Sequence, residues 1–361
     1  MSASNPQYAV VITSIGNASP ARIKPVAEKL EMPYEFMLRL IYNAPVVFVR
    51  NLDAESAPKA AALLRQIGLE ATHMPAEEVP VYQNPRVDVS LYLHDVLQLP
   101  ATVKSLAEFI GCPYQEAMKV LNNYPALVLG GVSPATAEAL ASRVNAEVTY
   151  ADPTQSAYTL EVAGTDRMVL HQVHRTLSTM GVALEPGQQL FRGLTYTQGQ
   201  TVWKKFQSTG AILLMNQSFE RYEVLLDALD QSVPGHRRQL VNLTGMPEEI
   251  VDEVLENLPV QLEASVSAQH IEQKLKDYQT AGLLCSSRRL TNTPRQLMVD
   301  EIQSQEQARK VLSRFVPADQ LPHPIRTPWQ APVPLSDLMA RYAVQELEAA
   351  GCDADYEDFT L

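Results

Sequence analysis

The chain has 361 residues, 46% of them hydrophobic and 19% charged, a composition typical of folded globular proteins rather than disordered or fibrous ones. Lysine and arginine total 29 against 41 aspartates and glutamates, which gives a formal net charge of −12. This charge opposes the phosphates of nucleic acids and of anionic membrane surfaces, so neither is an expected partner.

Compartment and redox chemistry are constrained by a few further features. The residues from Met1 to Val11 lack the pattern of a secretory signal, and no apolar run is long enough to span a bilayer. Cys112, Cys285 and Cys352 are too few and too scattered for a disulfide framework or a zinc site. We therefore expect a cytoplasmic protein without membrane insertion and without a cofactor.

The first elements in chain order are a strand and two helices. Tyr8 to Ser14 opens as an apolar strand, and residues 21–30 carry apolar side chains at helical spacing. Pro33 suits the first turn of a second helix. Pro45 ends that helix, because proline cannot donate the next helical hydrogen bond.

The next elements complete a small module. The β-branched and aromatic run at 46–49 predicts a second strand. Asp53 is a suitable N-cap and Gly68 a suitable C-cap for a third helix at 54–67. Residues 69–73 are expected to form a third strand. The order β-α-α-β-α-β predicts an α/β (α+β) unit, a three-stranded sheet with helices on one face. Any parallel returns through helices should cross over right-handedly.

The same pattern of prolines, caps and glycines recurs along the chain. In three places a helix-opening proline is followed twelve residues later by a second proline, and eight residues after that by a helix cap. A cap followed by glycine fifteen residues later occurs in four places. The proline pairs are Pro33 and Pro45, Pro113 and Pro125, and Pro247 and Pro259; the caps are Asp53, Ser133, Ser267, Thr195 and Ser336.

This repetition predicts five tandem modules. Their expected ranges are 1–77, 86–152, 157–217, 220–287 and 292–361, with the third divergent and the fifth degenerate. The joint at 217–219 is so short that modules 3 and 4 should pack together. The proline-rich stretch 317–334 cannot form a regular second helix, so it should wrap around a neighbour or form an exposed docking segment.

These spacings resemble a known module. From Ile23-Lys24, the positions of Pro45, Asp53 and Gly68 are similar to the landmarks of the C-terminal domain of the bacterial ribosomal stalk protein. That fold is shared with the adaptor that delivers N-degron substrates to the Clp protease. The chain lacks the stalk protein's hinge and dimerising helix, and it has no clear match to the adaptor's acidic pair. The resemblance therefore implies a fold rather than a specific activity.

In the stalk family a basic face on the first long helix docks protein partners. The matching positions, nine residues before the helix-opening proline, are Lys24, Lys104 and Arg238, which the resemblance implies as partner-binding residues. The alternative is that these side chains are simply solvated charges.

Two other groups of residues suggest possible chemistry. Arg237, Arg288 and Arg289 are weak candidates for an anion site, because guanidinium pairs favour bidentate contacts. His171 and His174, three residues apart, lack a convincing third ligand for a metal.

No phosphate loop, nucleophile elbow or paired-cysteine motif is present. The sequence therefore favours a non-enzymatic scaffold or adaptor that binds protein partners within a larger assembly. The alternative is a sensor of a small anion or nucleotide, with its ligand sites between modules.

Overall fold

The computed structural model describes residues 7–123, 125–162, 167–230, 232–233, 235–290 and 293–359. These residues form five three-stranded sheets, one in each predicted repeat, and the predicted fold class is confirmed. In the described part of the chain, no helix combines the length and the apolar character needed to cross a membrane.

Modules 1 and 2 contain the full predicted set of elements. Module 1 consists of β1 (Tyr8–Ser14), α1 (Pro20–Lys29), α2 (Tyr34–Ile41), β2 (Val46–Leu52), α3 (Ser56–Gln66) and β3 (Glu70–Pro75). Module 2 consists of β4 (Val87–Tyr92), α4 (Leu99–Ile110), α5 (Tyr114–Asn122), β5 (Ala126–Val132), α6 (Pro134–Ala141) and β6 (Glu147–Ala151).

Modules 3 and 4 follow the same order, except that module 3 has a single helix before its second strand. Module 3 consists of β7 (Tyr158–Val162), α7 (Arg167–Thr179), β8 (Leu190–Leu194), α8 (Tyr196–Phe206) and β9 (Ile212–Asn216). Module 4 consists of β10 (Arg221–Leu229), α9 (His236–Thr244), α10 (Val251–Glu256), β11 (Val260–Ser267), α11 (Ile271–Thr280) and β12 (Leu283–Arg289).

Module 5 departs most from the pattern, as its prolines predict. It consists of β13 (Arg295–Ile302), α12 (Gln305–Leu312), the short β14 (Trp329–Gln330), α13 (Asp337–Ala349) and β15 (Cys352–Asp358). A single 3₁₀ turn at Ala318–Gln320 takes the place of the second helix. Leu321, Ile325 and Ala331 from this stretch are buried in the core of module 5 itself. The stretch therefore packs on its own module rather than around a neighbour. Most of its other residues are exposed, and their role as a docking segment stays a prediction.

In every sheet the first strand of the module is the central one. In module 1 the order is β2-β1-β3, and both outer strands pair with β1 in antiparallel fashion. The outer strands are therefore parallel to each other but not hydrogen-bonded, and α3 carries the chain across β1 between them. The two helices α1 and α2 form a hairpin that returns the chain to the C-terminal end of β1. Because β2 begins beside that end, it runs antiparallel to β1.

One face of the central strand carries the core of the module. Val10 and Ile12, which share a face because side chains alternate along a strand, are fully buried. They belong to one apolar cluster with Ile23, Met37 and Leu64, contributed by α1, α2 and α3 respectively. All three helices therefore pack apolar side chains on this face. The predicted stripes are wrong in part, because Leu30 at the end of the first helix and Phe36 on the second are exposed.

Most of the predicted helix caps are present. The side-chain oxygens of Ser133, Thr195 and Ser336 each accept a hydrogen bond from the backbone N–H three residues further on. Asp53 accepts from the N–H groups of Glu55 and Ser56, at 2.9 and 2.6 Å. Ser267 is an exception and the prediction for it is wrong: a turn at residues 268–270 precedes α11, and the Ser267 hydroxyl contacts His270 Nδ1 instead, at 2.8 Å.

The predicted C-cap glycines adopt left-handed backbone conformations. Gly68 has a φ of +98°, and a Cβ added there would lie 2.8 Å from the backbone nitrogen of Ala18. Glycine is required at this position both by its φ and by the close approach of the β1–α1 loop.

The modules group into two compact units. One consists of residues 1–152 and 293–361, which hold modules 1, 2 and 5; the other consists of residues 153–292, which hold modules 3 and 4. The first unit is therefore discontinuous in sequence.

Candidate functional site

The three predicted partner-binding residues occupy equivalent places in their modules. Lys24 lies on α1, Lys104 on α4 and Arg238 on α9, each on the first helix of its module, and all three side chains are exposed. None of them forms an ion pair with a residue that the structure describes. These positions are thus open to a partner, although their role in binding stays a prediction.

The arginines considered for an anion site have carboxylate partners. Arg237 Nη1 lies 2.5 Å from Asp252 Oδ1, and Arg288 Nε donates to Glu223. Arg289 contacts two carboxylates, described below. Each guanidinium group therefore already neutralises an acidic side chain. The three arginines contact different carboxylates and do not converge on one cleft.

Buried charges join modules 3 and 4. The carboxylate of Glu220 is fully buried and accepts hydrogen bonds from Arg192 Nη2 at 2.8 Å and from the Tyr222 hydroxyl at 2.6 Å. Arg289 Nη1 lies 3.4 Å from Glu220, and Arg289 Nη2 lies 3.1 Å from Glu161. Arg192 and Glu161 belong to module 3 and the other residues to module 4, so this network fixes the two modules together.

The contacts of this network also shift the pKa of Tyr222. Burial and the hydrogen bond to Glu220 raise the pKa of the Tyr222 hydroxyl, while the hydrogen bond from Arg192 opposes that shift. The phenol therefore remains protonated at neutral pH and acts as a hydrogen-bond donor to Glu220. Sequence reasoning expects modules 3 and 4 to pack together, and these contacts confirm that they do.

An aromatic and arginine cluster joins modules 1 and 2. The Tyr42 hydroxyl donates to the backbone oxygen of Phe109 at 2.7 Å, and the two rings stack with centroids 6.0 Å apart. The Arg143 guanidinium lies 4.7 Å from the Phe109 ring centroid and donates to the backbone oxygens of Gly16 and Ala18. Burial lowers the pKa of Arg143. Backbone carbonyls and a ring face, rather than a carboxylate, hold this cation.

Module 5 is attached to module 2 by a second arginine. Arg341 on α13 lies over the Tyr92 ring at 4.8 Å and donates to the backbone oxygen of Leu93 at 2.7 Å. Its Nε also donates to Asp337 at 2.9 Å. Leu338 from the same helix joins the apolar core shared by modules 1 and 2.

The three cysteine thiols are not activated as nucleophiles by their surroundings. Burial raises the pKa of Cys285 to about 11 and also raises the pKa values of Cys112 and Cys352, which keeps all three thiols protonated at neutral pH. His174 Nε2 is 2.7 Å from the backbone oxygen of Gln188. Among the described residues, no group of three His, Cys, Asp or Glu side chains could hold a metal ion.

Sequence reasoning missed a groove on module 1. It lies between α2, the start of β2 and the joint that follows β3, and it has a volume of about 550 Å³. Arg39, Arg50 and Arg86 line it together with Phe36 and Val81. These residues come from three separate segments, so no local spacing predicts the site. The sequence cue is the presence of Val79, Val81 and Tyr82 in the joint.

Comparisons with known proteins provide no relative from which a function could be transferred. No protein-family model matches the chain, and no curated protein or solved structure shows detectable similarity to it.

Proposed function

We propose that the protein is a non-enzymatic scaffold or adaptor that binds protein partners through its repeated modules. The observation that carries this proposal is the equivalence of Lys24, Lys104 and Arg238. Each stands exposed at the same place on the first helix of a module, and each lacks an ion-pair partner among the described residues. A recurring free cation on one helix provides a repeated contact point for acidic surfaces of partners.

The use made of ionisable groups at the junctions between modules also supports this proposal. Glu220, Arg289 and Arg192 form contacts between modules, and Arg143 likewise bonds across the junction of modules 1 and 2. Charges that are engaged in contacts between modules hold surfaces together, whereas catalytic groups need an open position beside them for a substrate.

Fixed modules favour binding at several points at once. Modules 1 and 2 share a core and so present their first helices at a set distance, and a partner that engages one of them meets the other at high effective concentration. The alternative of an anion sensor at Arg237, Arg288 and Arg289 loses support, because carboxylates of the same chain occupy these guanidinium groups.

The test is a triple charge reversal, K24E/K104E/R238E, in the full-length chain. We expect it to reduce capture of partner proteins from lysate by at least about tenfold, since each reversal replaces an attraction by a repulsion. Circular dichroism should be unchanged, because all three side chains are exposed.

The matched control is K119E/K276E/K310E, which makes the same change in net charge at three exposed lysines on other helices. Equal capture by the two triple variants would contradict the proposed role of the first helices.

A further inference from the structure

One wall of the groove on module 1 is a segment that two hydrogen bonds hold in place. Asn84 Nδ2 donates to the backbone oxygens of Asn43 and Pro45, at 2.6 and 2.8 Å. These bonds hold the segment at residues 80–86 beside the end of α2 and the beginning of β2. The groove is therefore formed before any ligand arrives, which lowers the entropic cost of binding.

The groove has a concentration of positive charge in an otherwise acidic chain. Arg39, Arg50 and Arg86 are exposed at its rim, and none of them has an ion-pair partner among the residues that the structure describes. The formal net charge of the chain is −12, so three unpaired guanidinium groups around one groove form a local field of opposite sign.

Between the arginines the groove is apolar. Phe36 is 53% exposed and Val81 is 88% exposed, although both are large hydrophobic side chains. Leu40 and Val47 also line the groove. An apolar surface left open to water beside a positive rim is typical of a binding site.

The backbone of β2 contributes a further feature. In the sheet order β2-β1-β3, β2 is an edge strand that pairs only with β1. The N–H and C=O groups on its outer side therefore pair with no other strand of the sheet. An extended peptide can add to such an edge through backbone hydrogen bonds.

The other modules with a complete second helix lack this combination. Counted from the helix-opening proline, the positions of Phe36, Arg39 and Arg50 correspond to Glu116, Lys119 and Gly130 in module 2. In module 4 they correspond to Ile250, Glu253 and Ala264. By contrast, Asn43 has an asparagine counterpart in both. Asn43 and Asn257 each donate to the backbone oxygen four residues earlier, a structural role at the helix end.

We propose that this groove binds an extended acidic segment of a partner protein, with carboxylates at the three arginines and an apolar side chain against Phe36 and Val81. The site is separate from the first-helix positions, so the inference goes beyond the proposed function. Charge complementarity and the strand edge together select a peptide. A nucleic acid would also satisfy the arginines, but it carries a charge on every nucleotide and so would meet more repulsion from the acidic chain than a short acidic segment would.

The test measures fluorescence anisotropy of the full-length protein with labelled synthetic peptide pools. In one pool, aspartate or glutamate alternates with leucine or phenylalanine, and in the other lysine replaces the acidic residues. We expect the acidic pool to bind and the basic pool not to bind. The affinity for the acidic pool should fall as salt is raised, because the arginines are exposed.

Two variants test the contributions of charge and of the apolar surface. R39E/R50E should weaken binding of the acidic pool by at least about tenfold, whereas the matched double reversal K119E/K276E, at exposed lysines outside the groove, should leave it unchanged. Val81→Ser, at a position where a smaller side chain cannot disturb the fold, should weaken binding by about threefold. The K24E/K104E/R238E variant should bind the pool normally, which separates this inference from the proposed function.

Several results would overturn the inference. One is equal binding of the acidic and basic pools, or no binding of either. Another is displacement of the peptide by inorganic phosphate combined with no effect of Val81→Ser, which would identify a simple anion site. Tighter binding of a single-stranded oligonucleotide than of the acidic pool would identify a nucleic-acid site instead.

Discussion

Replacement of Glu220 by glutamine tests whether the buried carboxylate holds modules 3 and 4 together. Removing one partner of a buried ion pair typically costs about 3–5 kcal/mol, because the other charges remain buried without compensation. Here the cost should be smaller. Arg192 is 45% exposed and can be solvated, and Arg289 keeps Glu161 at 3.1 Å. We therefore expect Glu220→Gln to lower the free energy of unfolding of this unit by about 2–3 kcal/mol.

The two tryptophans of the chain make this loss measurable. Trp203 lies in the unit of modules 3 and 4 and Trp329 in the unit of modules 1, 2 and 5. In a Trp329→Phe background, urea unfolding followed by Trp203 fluorescence reports the first of these units alone. Glu272→Gln, an exposed residue on α11, serves as the control and should change stability by less than about 0.5 kcal/mol. A loss below about 1 kcal/mol for Glu220→Gln, or an equal loss in the control, would refute the structural role of the network.

Two further predictions concern a helix cap and a half-buried carboxyl. Thr195→Ala removes the half of the capping box in which the Thr195 hydroxyl accepts from the Gln198 N–H, and it should destabilise the same unit by about 1 kcal/mol. Thr195→Ser should retain most of that stability; both variants are measured through Trp203 fluorescence. Burial raises the pKa of Asp88 in the folded protein, and the hydrogen bond from the Gly131 N–H opposes part of that shift. The charged form of Asp88 therefore lowers the stability of the fold once the pH rises above the pKa of aspartate in the unfolded chain, about 3.9. Asp88→Asn should therefore be more stable than wild type at pH 7, as followed by Trp329 in a Trp203→Phe background, and should lose this advantage below about pH 3. An advantage of equal size at both pH values would contradict that reasoning.

The repeated fold could be predicted because its main determinants are local. Pro33 and Pro45 mark the limits of a helix through their missing N–H groups, and Gly68 marks the end of another through its left-handed conformation. These effects act within a few residues, so their spacing is visible in the sequence. The strand order is less visible, because it depends on how α1 and α2 return the chain to the sheet.

The contacts between modules could not be predicted in the same way. Arg143 and Gly16 are far apart in sequence, and nothing in the neighbourhood of either residue indicates the hydrogen bond between them. The same limit applies to the candidate sites. Arg289 resembles a free anion-binding residue until the structure places Glu161 and Glu220 beside it, while Arg39, Arg50 and Arg86 come together only after the joint folds against module 1.

The separation of module 5 from modules 1 and 2 along the chain affects synthesis and truncation. Arg341 and Leu338 complete the first unit from a stretch that follows modules 3 and 4 in sequence, so a ribosome must synthesise both of those modules before that unit can close. Modules 3 and 4 emerge as a continuous stretch and can assemble earlier. A stop codon ahead of residue 293 would accordingly do more than delete module 5, because it would leave the Tyr92 ring and the carbonyl of Leu93 without the arginine that covers them.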